Sequence, residues 1–269
     1  MILYASAIFL GAFLLFLVQP IIAKQILPWF GGSAAVWTTC LLFFQSVLLA
    51  GYAYADGVVR FDALQRRERP NHFAIIETWK DKNNAWQTGG GAMWVTGTYD
   101  PATNQTLWGS GNPVPMFDPT YRPGDNLYVA SVIAVRPKTG QIAWHYQWTP
   151  GDMYDYDGIN ENILGEVKFD GQMRKVLMHA DRNGFLYVLD RATGKLLAAN
   201  AFAKVNWADG IDMATGRPKF TDVYHGAHEG RLVTVWPSLS GVTNWFHMAY
   251  SPRTNHLYIN TIDIGMTYQ

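Results

Sequence analysis

Three aspartates, Asp152, Asp155 and Asp157, fall close together in one stretch, interleaved with Tyr154 and Tyr156 and closed by Gly158. Carboxylates so placed can take a proton from a substrate or hold a hard cation, which prefers oxygen donors. Asn112, in Gly109-Ser110-Gly111-Asn112-Pro113, offers an amide oxygen without charge. Arg182, in Asp181-Arg182-Asn183-Gly184, offers a planar and permanently charged fork to an anion. Trp94 follows Gly89-Gly90-Gly91 and offers a flat aromatic face that backbone can approach closely. Each residue also has a plainer reading: loop aspartates, a turn asparagine before proline, an ion pair of Arg182 with Asp181, a core tryptophan. The residues by themselves leave both readings open. Cys40 is the single cysteine, so the chain has neither an intrachain disulfide nor a cysteine-built metal site.

These residues need elements that hold them, and from about Ala92 the chain reads as short strands separated by turn chemistry. One phrase recurs. It is Tyr99-Asp100-Pro101-Ala102-Thr103-Asn104 before Leu107-Trp108, then Val135-Arg136-Pro137-Lys138-Thr139-Gly140 before Ala143-Trp144. It returns as Leu189-Asp190-Arg191-Ala192-Thr193-Gly194 before Leu197, and as Tyr250-Ser251-Pro252-Arg253-Thr254-Asn255 before Leu257-Tyr258. Each copy places Asn or Gly where a hairpin wants a positive φ. Spacing near that of four-stranded blades predicts an all-β fold, a partial β-propeller over residues 89–269, rather than unrelated hairpins of a sandwich. Aromatic content of 14%, with 11 tryptophans, agrees with a periodic aromatic. Lys+Arg 21 against Asp+Glu 21 leaves no basic excess for nucleic acid.

The N-terminal part differs. Between Met1 and Asp56 the only charged side chain before Asp56 is Lys24. Two apolar stretches, 1–23 and 33–55, flank the loop Lys24 to Gly32 and predict a transmembrane helical hairpin over 1–56. A signal peptide would carry a basic start, which Met1-Ile2-Leu3-Tyr4 lacks. The run Phe13-Leu14-Leu15-Phe16-Leu17-Val18-Gln19-Pro20, with Ala35-Val36-Trp37, resembles the opening helices of spermidine-synthase-like integral membrane proteins. No Gly-rich strand-to-helix turn follows that would support a nucleotide-type domain. Residues 57–88 read as a junction. Its Arg60, Arg66, Arg67 and Arg69 favour the cytoplasmic side of a membrane.

The soluble part carries more specific motifs: Gly89-Gly90-Gly91-Ala92-Met93-Trp94-Val95-Thr96-Gly97, Trp108-Gly109-Ser110-Gly111-Asn112-Pro113, Arg122-Pro123-Gly124-Asp125-Asn126, Thr149-Pro150-Gly151-Asp152-Met153-Tyr154-Asp155-Tyr156-Asp157-Gly158, Asp181-Arg182-Asn183-Gly184 and Thr243-Asn244-Trp245. In order and spacing they resemble the alcohol dehydrogenases that depend on pyrroloquinoline quinone (PQQ), and the Thr-Gly phrase with its trailing Trp resembles their tryptophan-docking repeat. The resemblance implies an oxidoreductase that passes hydride from a primary alcohol to PQQ beside a metal ion. It implies Trp94 as the floor under the quinone, with Arg182, Asn244 and Trp245 as further cofactor contacts. It implies Asn112 and Asp155 as metal ligands and Asp155 as the catalytic base. Asp157 occupies the position that is small in the calcium-type enzymes and Asp in the lanthanide-dependent type. Ca2+ or a lanthanide is therefore the implied cation, and cytochrome c or a quinone the implied electron acceptor.

The family's N-terminal blades, with their cysteine pair and metal-binding glutamate, have no counterpart here, and its last blades are also missing. The expectation is a fragment inactive by itself. A propeller in the periplasm and a basic flank that favours the cytoplasm ask for opposite sides of the membrane, a conflict that a fused or mispredicted reading frame would explain. The competing expectation is a non-catalytic, membrane-tethered propeller scaffold, in which Trp94, Asn112, Asp155 and Arg182 would not converge.

Overall fold

The computed structural model describes residues 77–269 except 81, 82 and 88. The hairpin expected over 1–56, and most of the junction, lie outside the described residues. Among those described, no helix is long and apolar enough to cross a membrane.

Two four-stranded antiparallel meanders form the centre. The first comprises β1 (Thr98–Asp100), β2 (Gln105–Ser110), β3 (Ser131–Arg136) and β4 (Gln141–Gln147), paired in chain order. The second comprises β5 (Ile163–Phe169), β6 (Gln172–Ala180), β7 (Phe185–Asp190) and β8 (Leu196–Ala201), also in chain order. Shorter pairs follow: β9 (Ala208–Ile211) with β10 (Pro218–Phe220), β11 (Val233–Val235) with β14 (Met266–Tyr268), and β12 (Ala249–Ser251) with β13 (His256–Tyr258). Helix α1 (Asp222–His228) lies between β10 and β11. This is an all-β, propeller-like arrangement, and each meander is one blade.

The strands form because Val, Ile, Leu and aromatic residues alternate. In β7, Phe185, Tyr187 and Leu189 are buried and the residues between them only partly so, the period of a strand packed on one face. Leu107, Val132, Trp144, Leu177, Tyr187 and Trp207 belong to one core that the two blades and the chain after β8 share.

The recurrent phrase makes the tight turns. Asp190 Oδ1 accepts from the N–H groups of Ala192 and Thr193 and from Thr193 Oγ1, at 3.2, 3.0 and 2.8 Å, and Gly194 takes φ +74°. A further copy, Asp212-Met213-Ala214-Thr215-Gly216, folds the same way: Asp212 Oδ1 accepts from Ala214 N and Thr215 N, both at 2.9 Å. The trailing aromatics lock neighbouring sheets. A Cβ on Gly194 would lie 2.7 Å from Cδ2 of Trp144, so the indole of β4 rests directly on the β7–β8 turn. Trp144 Nε1 also donates to Gln105 Oε1 at 3.0 Å. Gly194→Ala, which places a side chain at positive φ against that indole, is expected to cost about 1–3 kcal/mol. Urea unfolding would read this as a lower midpoint at unchanged slope; no change would mean the indole does not rest there.

Part of the expected junction is built into this unit. Trp79 is buried with Ala85 and Val129, and its Nε1 donates to Leu127 O at 2.7 Å. Lys80 N donates to Pro123 O and Asn126 N to Thr78 O. The segment around Trp79 thus belongs with the first blade and does not behave as a bare linker.

Candidate active site

In an antiparallel meander the connections alternate between two ends. The stereotyped turns β1–β2, β3–β4 and β7–β8 share one end. The long connections after β2 and β4 and the short β6–β7 turn share the other. Asn112, Asp155 with Asp157, and Arg182 sit on these three, so topology brings them to one end of the sheets.

The acidic loop is shaped from within. Tyr154 and Tyr156 are buried in the core, and Tyr156 OH donates to Pro237 O. Asp155 takes φ +67°, a left-handed conformation unusual for a residue with a side chain. Asp157 Oδ1 accepts from Asn112 N at 2.6 Å, and Asp157 Oδ2 from Arg182 Nη1 at 2.6 Å. Arg182 Nη2 reaches Asp155 Oδ2 at 3.3 Å and also donates to Leu239 O. Asn112 Nδ2 donates to Pro113 O at 2.9 Å, which sets the plane of the amide.

The Gly-Ser-Gly motif follows from close approach. A Cβ on Gly111 would stand 2.8 Å from Asp157 Oδ1, and one on Gly109 would stand 2.7 Å from Ile159 Cα. Nothing larger than glycine lets the two loops meet.

Trp94 joins the same neighbourhood through its own backbone. Gly91 N donates to Asn112 O and Gly111 N to Ala92 O. Trp94 is 50% exposed and meets Trp245, 57% exposed, edge to face at 5.6 Å between ring centroids. Asn244 Nδ2 donates to Ser240 O and its Oδ1 accepts from Trp245 N, both at 2.9 Å. Val242 N donates to Arg182 O at 2.9 Å, so the loop carrying Asn244 and Trp245 lies along Arg182. Asn112, Asp155, Asp157 and Arg182 are therefore linked directly. Trp94 is linked through the Asn112 segment, and Trp245 touches Trp94. Asn244 points its polar atoms into its own loop.

Sequence reasoning missed two participants. Leu239 enters through its carbonyl, which leaves no mark in a sequence. Thr243 has a buried hydroxyl without a hydrogen-bond partner, next to Asn244, and Arg182 Nε is likewise unpartnered. Among the described residues no three His, Cys, Asp or Glu side chains form a metal-binding group. The residues linked here carry two carboxylates and one amide oxygen, donor types that a hard cation prefers, and Asn112 joins the carboxylates through its backbone N–H to Asp157.

Burial raises the acids here. It pushes Asp152 up to about 7, against the pull of the Tyr154 N–H and Arg122. It pushes Asp155 up to about 6, against Arg182, and it raises Asp157 and Asp181 as well. These acids hold protons more firmly folded than unfolded. The stability they contribute is complete below the unfolded value of 3.8 and is lost as pH rises through about 6 to 7. Asp118 and Asp212, held low by their hydrogen bonds to Thr120 and Thr215, change only below that window. Without added cation the chain is expected to melt at a higher temperature at pH 5 than at pH 8 by scanning calorimetry. The His145 imidazole, pushed down by partial desolvation, opposes them in this range, so a flat or rising profile in a His145→Gln background would remove these four acids as the source.

The sequence matches the family of glucose/ethanol/alcohol dehydrogenase PQQ β-propeller domains over residues 60–206, more than half of the chain. The chain belongs to the PQQ-dependent alcohol dehydrogenase family. It is 41% identical over 204 residues to a quinohemoprotein alcohol dehydrogenase of Pseudomonas putida, covering 75% of this chain and 29% of that protein. It is 41% identical over 203 residues to the lanthanide-dependent methanol dehydrogenase of Methylorubrum extorquens, covering 72% of this chain and 33% of that one. Among solved structures, a second Pseudomonas putida quinohemoprotein alcohol dehydrogenase superposes with a TM-score of 0.67 at 41% identity, over 71% of this chain and 28% of that one. A europium-containing methanol dehydrogenase superposes at 0.62 with 38% identity, over 68% and 32%. The chain thus spans about a third of the length of the relatives it matches in this family.

Proposed function

We propose that this chain forms the cation- and quinone-facing part of a PQQ-dependent dehydrogenase that oxidises primary alcohols. The observation that carries the reading is the contact of Asp155 and Asp157 with Arg182, and of Asp157 with the backbone N–H of Asn112, beside two half-exposed indoles. The residues fit the cofactor. A flat anionic heterocycle suits the faces of Trp94 and Trp245, the guanidinium of Arg182 and the unpartnered hydroxyl of Thr243. Asn112, Asp155 and Asp157 would hold the hard cation.

When bound, these groups supply a hydride acceptor and a Lewis acid. The chain's own residues do the rest. Asp155 Oδ takes the proton of the alcohol hydroxyl, a task that suits a carboxyl raised to about 6. Arg182 keeps Asp155 turned toward the site and offers positive charge to a group that gains negative charge. Trp94 and Trp245 exclude water from one side.

Asp157 supports a lanthanide over Ca2+, since a third anionic or polar oxygen suits a trivalent ion. Cytochrome c or a quinone as acceptor, and a periplasmic propeller anchored by the N-terminal apolar segment, belong to the same reading. A scaffold without catalysis gives the linked carboxylates and arginine no task.

The test is a titration of the chain with PQQ in La3+ or Ca2+, followed by tryptophan fluorescence and by dye-linked ethanol oxidation. Saturable quenching that needs a cation, is tighter with La3+ and weakens in Trp94→Ala is expected. Quenching indifferent to both cation and Trp94 would end the proposal.

A further inference from the structure

Behind the acidic loop lies a buried charged residue that none of the roles above uses. Arg122 is fully buried, 0% exposed. Its Nε donates to Pro115 O at 2.7 Å, its Nη1 to Asn126 Oδ1 at 2.7 Å, and its Nη2 to Met116 O at 2.7 Å and to Asp152 O. Asn126 is buried too, and its Nδ2 donates back to Arg122 O at 2.9 Å. One guanidinium therefore joins the segment that follows Asn112 to the segment that precedes Asp155.

Asp152 continues the connection. Its Oδ1 accepts from Tyr154 N and its Oδ2 from Tyr156 N, each at 2.9 Å. Each oxygen of this buried carboxylate thus holds one alternate N–H of the loop. The side chains of Tyr154 and Tyr156 go into the core, and Asp155 and Asp157 are left to meet Arg182. Backbone with φ +67° at Asp155 needs such outside support, because the local chain does not favour it. A charge buried as deeply as Arg122 is retained at a cost in desolvation, and stability alone would be served as well by apolar packing.

We infer that Arg122 and Asp152 form a brace that holds Asn112, Asp155 and Asp157 at the spacing a hard cation requires, which makes both positioning residues. The inference rests on the proposed function, since it assumes that those three residues take a cation. Arg122 ties the Asn112 segment to residue 152, and Asp152 translates that anchor into the direction of Asp155 and Asp157. Neither brace residue is among the proposed ligands. Outer partners of this kind are generally worth about 10- to 100-fold in metal affinity.

Tb3+ is the probe, added to the full chain and read by emission sensitised through the tryptophans. Four proteins are compared: wild type, Asp157→Asn, Asp152→Asn and the double variant. Asparagine at 152 keeps one acceptor and loses the other, so one of the N–H groups of Tyr154 and Tyr156 loses its partner. The expected result is about tenfold weaker Tb3+ binding in Asp152→Asn, with a smaller loss when Asp157 is already replaced, because the brace acts in part through Asp157. More water bound to Tb3+ in Asp152→Asn, from luminescence lifetimes in H2O and D2O, is the accompanying expectation. Unchanged Tb3+ affinity in Asp152→Asn, or the same loss in both backgrounds, overturns the brace alone. Asp157→Asn without effect on Tb3+ overturns the cation reading and the brace with it. Should Asp152→Asn not fold, Arg122→Lys takes its place in the same cycle with the same two outcomes, since one ammonium cannot reach all four oxygens that Arg122 holds.

Discussion

Replacing Asp155 by alanine is expected to lower alcohol oxidation by about 10²- to 10⁴-fold, the usual worth of a positioned general base. The comparison is made with residues 89–269 grafted in place of the matching stretch of the lanthanide-dependent relative, loaded with PQQ and La3+. The carboxylate is the one group at this site that is both raised toward neutrality and partly open to solvent. Its neighbour Asp157 is more deeply held, with one oxygen on Asn112 N and the other on Arg182. Asp155→Ala should therefore reduce kcat while quenching of the indoles by PQQ persists. Asp155→Asn should behave alike, because an amide keeps the shape and cannot take the proton. A variant that retains most of its rate would move the base elsewhere.

Arg182→Ala carries the second large effect, on stability. Arg182 is buried, with side-chain exposure of 4%, and it compensates two carboxylates with exposures of 17% and 8%. Removing it leaves like charges facing each other without a counterion, which costs about 3–5 kcal/mol. The deficit depends on pH. With the counterion gone, Asp155 and Asp157 hold protons still more firmly, so at pH 5 they escape the penalty by protonation and at pH 8 they bear it. Chemical unfolding of wild type and variant at the two pH values is the measurement. The gap should narrow at pH 5, and La3+ should narrow it at pH 8 by replacing the lost charge. A gap equal at both pH values and blind to La3+ would mean that Arg182 acts by packing alone. Arg182→Lys should recover part of the stability, since a single ammonium cannot donate to Asp155, Asp157 and Leu239 O in the fixed fork of a guanidinium.

Hairpins are the most legible part of the sequence because their chemistry is local. Asp190, Thr193 and Gly194 bond within five residues, and the same Asp-x-x-Thr-Gly order closes the turn at Asp212. The copy at Asp212 carries the same signature but is harder to read, because no strand of obvious pattern precedes it. Tight glycines are legible as a motif but not as a reason: Gly109 and Gly111 are needed because a second loop, more than forty residues on, lies against them. The first blade's dependence on Trp79 is not legible, since a lone tryptophan between charged residues gives no period to read. Arg122 stands in a recognisable motif, yet its task shows only through its bond to the carbonyl of Asp152, thirty residues on, beside three acceptors within seven residues.

The sequence by itself determined an all-β chain of short hairpins and the family to which it belongs. Those properties depend on side-chain type and on bonds made within a few residues. Only the tertiary structure decided that Asn112, Asp155, Asp157 and Arg182 share one end of two blades, that Asp157 binds the backbone of Asn112, and that Arg122 and Asp152 stand behind them. Such contacts join residues 25 to 45 positions apart, and no local preference encodes them. They arise when strands alternate direction and buried polar groups must find partners, which the packed fold alone supplies.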